Sequence, residues 1–228
     1  MLSHAIAVHD APRPAALPSD IDDRFAPVVS RACLAATEYT YQRDAEIYGE
    51  DEPSRYVYQV LRGAVRTYKL LSDGRRQIGA FHLPGDVFGL ESGANHRLTA
   101  EAIVRTTVRL VKRQNLERAA ATDVGLTRQL WSITADDLRH AENHMLLLGR
   151  KTARERVAAF LLEMDNRLSA AGMVALPMCR RDIGDYLGLT LETVSRTLSE
   201  LRDEKILDLS GARQIMLRNR QRLRVMNA

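Results

Sequence analysis

The sequence of 228 residues predicts an α+β protein with an antiparallel β domain, a long helix and a C-terminal winged helix-turn-helix domain. Short β-branched or aromatic segments separated by turn signals run from Ala36 to Val111. A stretch with helical apolar spacing follows from Thr122 to Leu148. The segment Cys179 to Leu207 has the helix start and stop signals of two short helices that meet at a tight turn. We therefore predict four parts: a flexible arm (1–20), a β domain (21–121), a long helix (122–149) and a helix-turn-helix domain (150–228).

The β domain is predicted from turn signals between apolar segments. Asp73-Gly74 lies between two segments in which apolar and polar residues alternate. This is a strong hairpin signal, because Asp and Gly tolerate the left-handed backbone of a tight turn. Arg62-Gly63 and Pro84-Gly85-Asp86 mark further turns. The predicted strands are 57–61, 65–71, 77–83 and 100–111.

The long helix has apolar residues at spacings of mostly three and four, and about 24 residues would span about 36 Å. We predict that it forms the seam of a parallel dimer, because a helix-turn-helix protein needs a twofold axis to bind a palindrome. The alternative is a core helix lying on its own β domain. The predicted seam residues are Leu126, Leu130, Ile133, Leu138, Ala141, Met145 and Leu148.

The helix-turn-helix is predicted from capping residues. A first helix runs from about Arg181 to Leu187, Gly188 allows its C-terminal turn, and Thr190 caps the second helix. In the second helix one apolar stripe consists of Leu191, Val194, Leu198 and Leu201. Two strands, 206–209 and 214–217, form the predicted wing.

The opposite face of the second helix places a carboxylate and a guanidinium together, at Glu192 and Arg196. Arginine bonds guanine O6 and N7, and glutamate accepts from cytosine N4, so this pair suits a G·C base pair. The alternative is an ordinary surface ion pair of about 0.3–0.5 kcal/mol. The predicted base contacts are Leu191, Glu192, Ser195 and Arg196, and the predicted DNA backbone contacts are Arg180, Arg181, Thr190, Thr193 and Arg213.

The distribution of charge favours a nucleic-acid partner. From Arg150 onward there are 15 Lys and Arg residues against 10 Asp and Glu residues. The preceding part of the chain has 18 Lys and Arg residues against 19 Asp and Glu residues. Beyond Asp208 there is no acidic residue, while five arginines follow. Such a surface or tail suits DNA phosphates.

Two segments, D-I-G-D-Y-L-G-L-T-L-E-T-V-S-R-T-L and R-E-R-V-A-A-F-L-L, resemble the Crp/Fnr superfamily of bacterial transcription regulators. The pattern E-x-x-S-R places the chain near the Fnr and FixK branches, and it most resembles the FixK regulators of rhizobia. The resemblance implies a jelly-roll sensor domain, a homodimer paired by the long helix, and a palindromic DNA operator related to TTG-N8-CAA. It also implies recruitment of RNA polymerase, transcription activation and a link to nitrogen fixation.

No cofactor is expected. In cyclic-nucleotide sensors of this superfamily a Gly-Glu pair precedes an adjacent Arg-Ser or Arg-Thr, whereas here Leu90 splits the first pair and Leu98 separates Arg97 from Thr99. An iron–sulfur cluster needs about four thiolates, and the chain has two cysteines. His140 and His144 lie one turn apart, but we interpret them as a polar flank of the long helix and predict no metal site. No catalytic constellation is apparent, so we predict that the protein is not an enzyme.

Cys179 stands where Ser or Thr usually caps a helix, directly before Arg180 and Arg181. A helix N-terminus and two guanidinium groups favour the reactive thiolate, so oxidation of Cys179 could weaken DNA binding. The alternative is an inert packing residue. Cys33 has no such setting.

Two other functions stay open at this point: a regulator gated by a small molecule, and a cyclic-nucleotide-binding regulatory subunit or scaffold. A scaffold has no use for an exposed DNA-binding face. The two widely separated cysteines, the absence of a segment of about 20 apolar residues, and an N-terminus without signal-peptide features predict a cytoplasmic protein.

Overall fold

A computed structural model describes residues 35–168 and 172–227. The predicted flexible arm and Cys33 lie outside these residues. In the described part, eight antiparallel strands form the N-terminal domain. They are β1 (Ala36–Tyr41), β2 (Glu46–Tyr48), β3 (Tyr56–Arg62), β4 (Val65–Leu70), β5 (Arg76–His82), β6 (Val87–Phe88), β7 (Thr99–Ala102) and β8 (Thr106–Lys112).

These strands make two four-stranded sheets, in the orders β1-β8-β3-β6 and β2-β7-β4-β5. Aromatic and branched side chains from both sheets share one buried cluster, which includes Tyr48, Tyr58, Phe88 and Val108. The predicted hairpin at Asp73-Gly74 joins β4 to β5, and Gly74 has the positive φ of 84° that the turn requires. The antiparallel β domain is therefore confirmed.

The single strand predicted over 100–111 is wrong. It is two strands, because β7 pairs in one sheet and β8 in the other, and the chain crosses between the sheets at residues 103–105. The crossing is anchored by Thr106, whose hydroxyl hydrogen bonds to the main chain of Ala64. Because Ile103 and Thr106 are both buried and β-branched, the strand-like pattern of the sequence continues through the crossing and conceals it.

Two helices follow the β domain: α1 (Arg113–Ala120), which the sequence analysis did not predict, and α2 (Val124–Arg150). Asp123 caps α2, since its side chain accepts a hydrogen bond from the Leu126 N–H at 3.0 Å. Its 27 residues correspond to about 40 Å. No helix among the described residues has the length and apolarity needed to cross a bilayer.

The C-terminal domain contains four helices and three strands within the described residues. They are α3 (Ala153–Leu168), β9 (Met173–Ala175), α4 (Arg180–Leu187), α5 (Leu191–Asp203), β10 (Leu207–Leu209), β11 (Gln214–Leu217) and α6 (Arg220–Asn227). The predicted two-stranded wing has a third strand, since β9 pairs with β11. Leu176 continues that pairing by donating to the carbonyl of Arg213, which explains why a short strand survives there.

The turn between α4 and α5 has the predicted geometry. Gly188 has a left-handed φ of 62°, and the Thr190 hydroxyl accepts a hydrogen bond from the Thr193 N–H at 3.1 Å. Gly184 permits the close crossing, because a Cβ there would lie 2.7 Å from the carbonyl oxygen of Leu189. The two helices therefore meet as a tightly packed unit.

Candidate nucleic-acid interface

Helix α5, the second helix of the helix-turn-helix, is buried on one face and open to solvent on the other. Val194, Leu198 and Leu201 are buried in the core of the C-terminal domain, whereas Glu192 and Arg196 are exposed. Leu191 lies outside the buried stripe in which it was predicted, with 37% of its surface exposed. Its place in the first turn of the helix is compatible with the predicted base contact.

Arg196 is available for a partner outside the protein. Its side chain is 70% exposed, and its guanidinium lies 3.9 Å from the carboxylate of Glu200 rather than beside Glu192. An exposed pair at this distance contributes little. Ser195 is half-buried next to it, and its carbonyl accepts a hydrogen bond from the hydroxyl of Ser199. The exposed carboxylate and guanidinium therefore lie one helical turn apart with no strong internal bond between them.

The residues predicted to contact the DNA backbone differ in their exposure and in their hydrogen bonds within the protein. Arg181 is exposed and Arg180 is half-buried, both in the first turn of α4. The Thr190 hydroxyl is engaged in capping α5 and lies 3.0 Å from the hydroxyl of Thr193. Arg213 donates to the carbonyl of Pro177 at 2.9 Å, so it holds the segment before α4. Arg213 is therefore also a structural residue of the wing.

The arginine-rich C-terminus is a helix packed on α3, and not a free tail. Leu223 of α6 is fully buried, Arg220 forms a bidentate ion pair with Asp165, and Arg218 pairs with Asp208. Two of the five arginines beyond Asp208 are thus neutralised inside the protomer. The sequence alone could not show this, because Asp165 is 55 residues away.

Cys179 is the N-cap of α4 and is half-buried. Its Sγ lies 3.2 Å from a carboxylate oxygen of Asp182, and the same oxygen accepts the Cys179 backbone N–H at 3.3 Å. Asp182 follows Arg180 and Arg181 in the first turn of α4, so this acid faces the sulfur at the helix N-terminus. An oxidised sulfur at Cys179 would therefore meet a carboxylate as well as the helix N-terminus.

The long helix α2 has two different apolar faces. Leu126 is fully buried in its own protomer with Val57, Val111 and Leu116, so its assignment to a dimer seam is wrong. Leu130 and Ile133 are half-buried against the same cluster and also face their own domain. The first half of the helix is thus anchored on the β domain, as the core-helix alternative stated.

A second face of α2 is apolar and exposed. Val124, Trp131, Leu138 and Met145 recur at intervals of seven residues, and Trp131 is 77% exposed. Leu138 and Met145 belong to the set predicted for the seam, whereas Val124 and Trp131 were not in that set. Ala141 is exposed near this stripe and Leu148 is half-buried. A seven-residue repeat is the signature of a left-handed coiled coil, and it was the signal that could have identified Trp131.

The region of a cyclic-phosphate site is occupied by internal bonds. Glu91 bonds the Nδ1 of buried His96 at 2.8 Å, and His96 stacks on Tyr48. The Thr99 hydroxyl accepts the backbone N–H of Glu50 at 3.0 Å, while Arg97 is exposed. The Glu91 carboxylate and the Thr99 hydroxyl are thus both engaged in bonds within the domain.

His140 and His144 face the helix-turn-helix domain. His144 Nε2 donates to the carbonyl of Tyr186 at 2.8 Å and stacks on its ring, while His140 Nε2 lies 3.3 Å from the Tyr186 hydroxyl. In the described ranges no group of three or more His, Cys, Asp or Glu could hold a metal ion. The two histidines, predicted as a polar flank of the long helix, thus join α2 to α4.

Comparison with known proteins matches both domains. Residues 155–226 match the Crp-like helix-turn-helix domain, and residues 38–123 match the cyclic nucleotide-binding domain. The nitrogen fixation regulation protein FixK of Azorhizobium caulinodans is 45% identical over 193 residues, which cover 82% of this chain and 78% of that protein. The chain belongs to the Crp/Fnr family of transcription regulators. The resemblance to this family and to the FixK regulators is confirmed.

Other relatives support the same assignment. The FixK protein of Rhizobium meliloti is 43% identical over 185 residues, covering 81% of this chain and 84% of that protein. The structure of FixK2 from Bradyrhizobium japonicum has a TM-score of 0.84 and 74% identity, and it covers 86% of this chain and 98% of its own. The predicted fold class is confirmed. The relatives are regulators of the Crp/Fnr family and not enzymes, so the prediction of a non-enzymatic protein is also confirmed.

Proposed function

We propose that this Crp/Fnr-family regulator binds DNA as a homodimer and places its two recognition helices in successive major grooves of a palindrome related to TTG-N8-CAA. The observation that carries the proposal is the exposed polar face of α5, on which Glu192 and Arg196 project while the opposite face is buried. The exposed apolar residues that repeat every seven positions on α2 support the pairing of two parallel helices.

The direct test is selection of bound duplexes from a random pool by the purified full-length protein. The proposal predicts recovery of a palindrome with G·C pairs at equivalent places in both half-sites. Recovery of no common sequence, or of one unpaired half-site, would contradict it.

The regulatory role is proposed from the relatives. Because FixK proteins are named for regulation of nitrogen fixation and a further relative is the transcriptional activatory protein AadR, we propose a cytoplasmic activator that recruits RNA polymerase. The predicted DNA-phosphate contacts at Arg180, Arg181, Thr190, Thr193 and Arg213 belong to this proposal. Of these, Arg181 has the most exposed cationic side chain beside α5.

Operator binding is expected to be independent of cyclic AMP. Glu91 is bonded to His96, Thr99 to the main chain of Glu50, and Leu98 separates Thr99 from Arg97, so the donors for a cyclic phosphate are not assembled. Fluorescence anisotropy with the operator should therefore give the same Kd with and without the nucleotide. A nucleotide requirement would contradict this prediction.

A regulator gated by a small molecule is a second candidate. The match of residues 38–123 to the cyclic nucleotide-binding domain favours it, as does an open cavity of about 560 Å³ bordered by Arg55, Tyr56, Lys112 and Arg113. A metabolite that changes operator affinity in the same anisotropy assay would support this candidate over the ligand-independent regulator.

Oxidation at Cys179 is proposed to weaken operator binding. A sulfinate would add negative charge next to Asp182 and near the DNA phosphates, where binding needs positive charge. Peroxide should weaken wild-type binding, Cys179→Ser should bind and resist peroxide, and Cys179→Asp should bind weakly even when reduced. Cys33→Ser is the control and should remain sensitive. Loss of binding by the peroxide-treated Cys179→Ser protein would show that the sensitive group lies elsewhere.

A further inference from the structure

The first helix of the helix-turn-helix, α4, packs directly against strand β5 of the N-terminal domain. Phe81 of β5 contacts Tyr186 of α4, with 5.1 Å between ring centroids, and it also contacts Phe160 of α3 at 6.3 Å. The amide of Gln77 donates to the Tyr186 carbonyl at 3.3 Å. The two domains therefore share a continuous apolar and polar contact outside the connecting helix.

Two arginines of the β domain bind two acids of α4. Arg66 donates to both carboxylate oxygens of Asp182, at 3.1 and 3.2 Å, and both residues are buried, at 8% and 3% exposed. Arg76 donates to Asp185 from Nε at 2.9 Å and from a terminal nitrogen at 2.7 Å. The same terminal nitrogen reaches Asp182 at 2.5 Å.

This charge cluster fixes the orientation of α4 as well as its position. One Arg66 nitrogen reaches both Asp182 oxygens, and two nitrogens of the rigid, planar Arg76 guanidinium hold one Asp185 oxygen, so each contact restrains the direction as well as the distance between its groups. Glu101 and Asp44 hold the other side of the Arg66 guanidinium. Burial alone would raise the pKa of Asp182. The pKa is instead held below its usual value by the positive charge of Arg66, by the two hydrogen bonds that Cys179 donates and by the positive charge of Arg76. The carboxylate is thus kept charged where it pairs with both arginines.

The other side of α4 is held by the long helix α2 and by α3. His144 of α2 donates to the Tyr186 carbonyl and stacks on its ring with 4.0 Å between centroids. Arg156 of α3 donates to the carbonyl of Leu148, in the last turn of α2, and to the carbonyl of Leu187, the last residue of α4. We call this set of contacts, from Arg66 and Arg76 on one side and from His144 and Arg156 on the other, the α4 clamp.

We propose that Arg66 and Arg76 are positioning residues for DNA recognition, because through Asp182 and Asp185 they hold the recognition helix at a fixed place relative to the dimer axis. The inference rests on the proposed function. The face of α5 with Glu192 and Arg196 stays exposed while α4 is clamped, so the clamped arrangement is compatible with DNA binding.

The recognition helices need a fixed position because of the geometry of a palindromic operator. Two recognition helices must enter major grooves about 34 Å apart, so each helix has to be held at a defined distance from the twofold axis. If the α4 clamp is broken, the C-terminal domain samples other orientations. The apparent affinity for the operator then falls in proportion to the fraction of molecules that hold the orientation competent for binding. A loosened dimer should also tolerate a wrong half-site spacing better than the clamped dimer.

The test uses the full-length protein and a reversal of the Arg76–Asp185 pair. Arg76→Glu places an acid against Asp182 and Asp185, Asp185→Arg is the partner change, and the double variant restores an opposite-charge pair. Arg75→Glu is the matched control, because it makes the same charge change one residue away, on an exposed side chain that pairs with Asp73 in its own hairpin.

Two readouts are needed: Kd for the operator and for an operator with one extra base pair between its half-sites, and hydrogen exchange of the α4 amides. We expect Arg76→Glu to weaken operator binding about tenfold relative to Arg75→Glu, to reduce spacing discrimination and to speed exchange in α4. The double variant should recover part of each effect, because it restores an opposite-charge pair at positions 76 and 185 but not the contact with Asp182. Arg76→Gln, which introduces no repulsion, should show the same trend if Arg76→Glu fails to fold.

Three outcomes would overturn the proposal. They are equal operator affinity for Arg76→Glu and Arg75→Glu, tighter operator binding by Arg76→Glu, and folded variants whose spacing discrimination is unchanged. If wild-type protein shows no palindrome preference, the proposed function fails. Hydrogen exchange in α4 then still shows whether the β domain holds this helix.

Discussion

Met145→Glu is expected to convert the protein to a monomer and to abolish tight operator binding. Met145 belongs to the exposed stripe of α2 that repeats every seven residues, and in a parallel pair the change would bury an unpaired charge twice. The effective cost of burying an ion is several kcal/mol, which exceeds what one seam contact returns. A monomer contacts only one half-site, so its operator affinity should approach that of nonspecific binding.

The measurement combines sedimentation equilibrium with fluorescence. Trp131 is the single tryptophan of the chain and lies in the same stripe, so its emission should shift to the red when the dimer dissociates. Asn143→Glu is the matched control, because it adds the same charge at an exposed position two residues away, off the stripe. Unchanged dimer mass for Met145→Glu would place the seam on another surface.

Arg196→Ala is expected to remove discrimination at one G·C pair in each half-site. A bidentate contact to guanine contributes about 1–3 kcal/mol, so the operator should lose that amount per half-site while a scrambled duplex loses far less. Glu192→Ala should relax the choice at cytosine with a smaller loss of total affinity, since removing an acid near phosphates relieves repulsion.

Competition binding against duplexes substituted at each position checks these expectations. Arg202→Ala is the control, because Arg202 is an exposed arginine in the last turn of the same helix and pairs with Asp203. It should preserve the base preference of the wild type. If Arg196→Ala keeps the wild-type ratio between operator and scrambled duplex, Arg196 does not contact a base.

The helix-turn-helix was predictable from sequence because its determinants are local. Gly188 supplies the left-handed turn and Thr190 caps the next helix within three residues, so neither depends on distant parts of the chain. The exposed face of α5 follows from the burial of Val194, Leu198 and Leu201 at helical spacing. The structure places these residues as the pattern indicated.

The exposed face of α2 could be predicted only in part from the sequence, and the α4 clamp could not be predicted from it. Helical spacing of three and four selected Leu126 and Leu138 together, although one faces the protomer's own core and the other faces solvent. A helix with two apolar faces gives a mixed pattern, and only the seven-residue spacing separates them. Arg66 and Asp182 are 116 residues apart, so no local signal could pair them.

The central claim is that two recognition helices of one dimer bind two half-sites of one operator. It is tested most directly by titrating the protein against three duplexes at one salt concentration: the selected palindrome, the same duplex with one half-site scrambled, and a fully scrambled duplex. The account predicts two protomers per palindrome, with the half-scrambled duplex bound far more weakly than the palindrome and only modestly better than the fully scrambled one. Equal affinity for the palindrome and the half-scrambled duplex, or one protomer per palindrome at saturation, would contradict it.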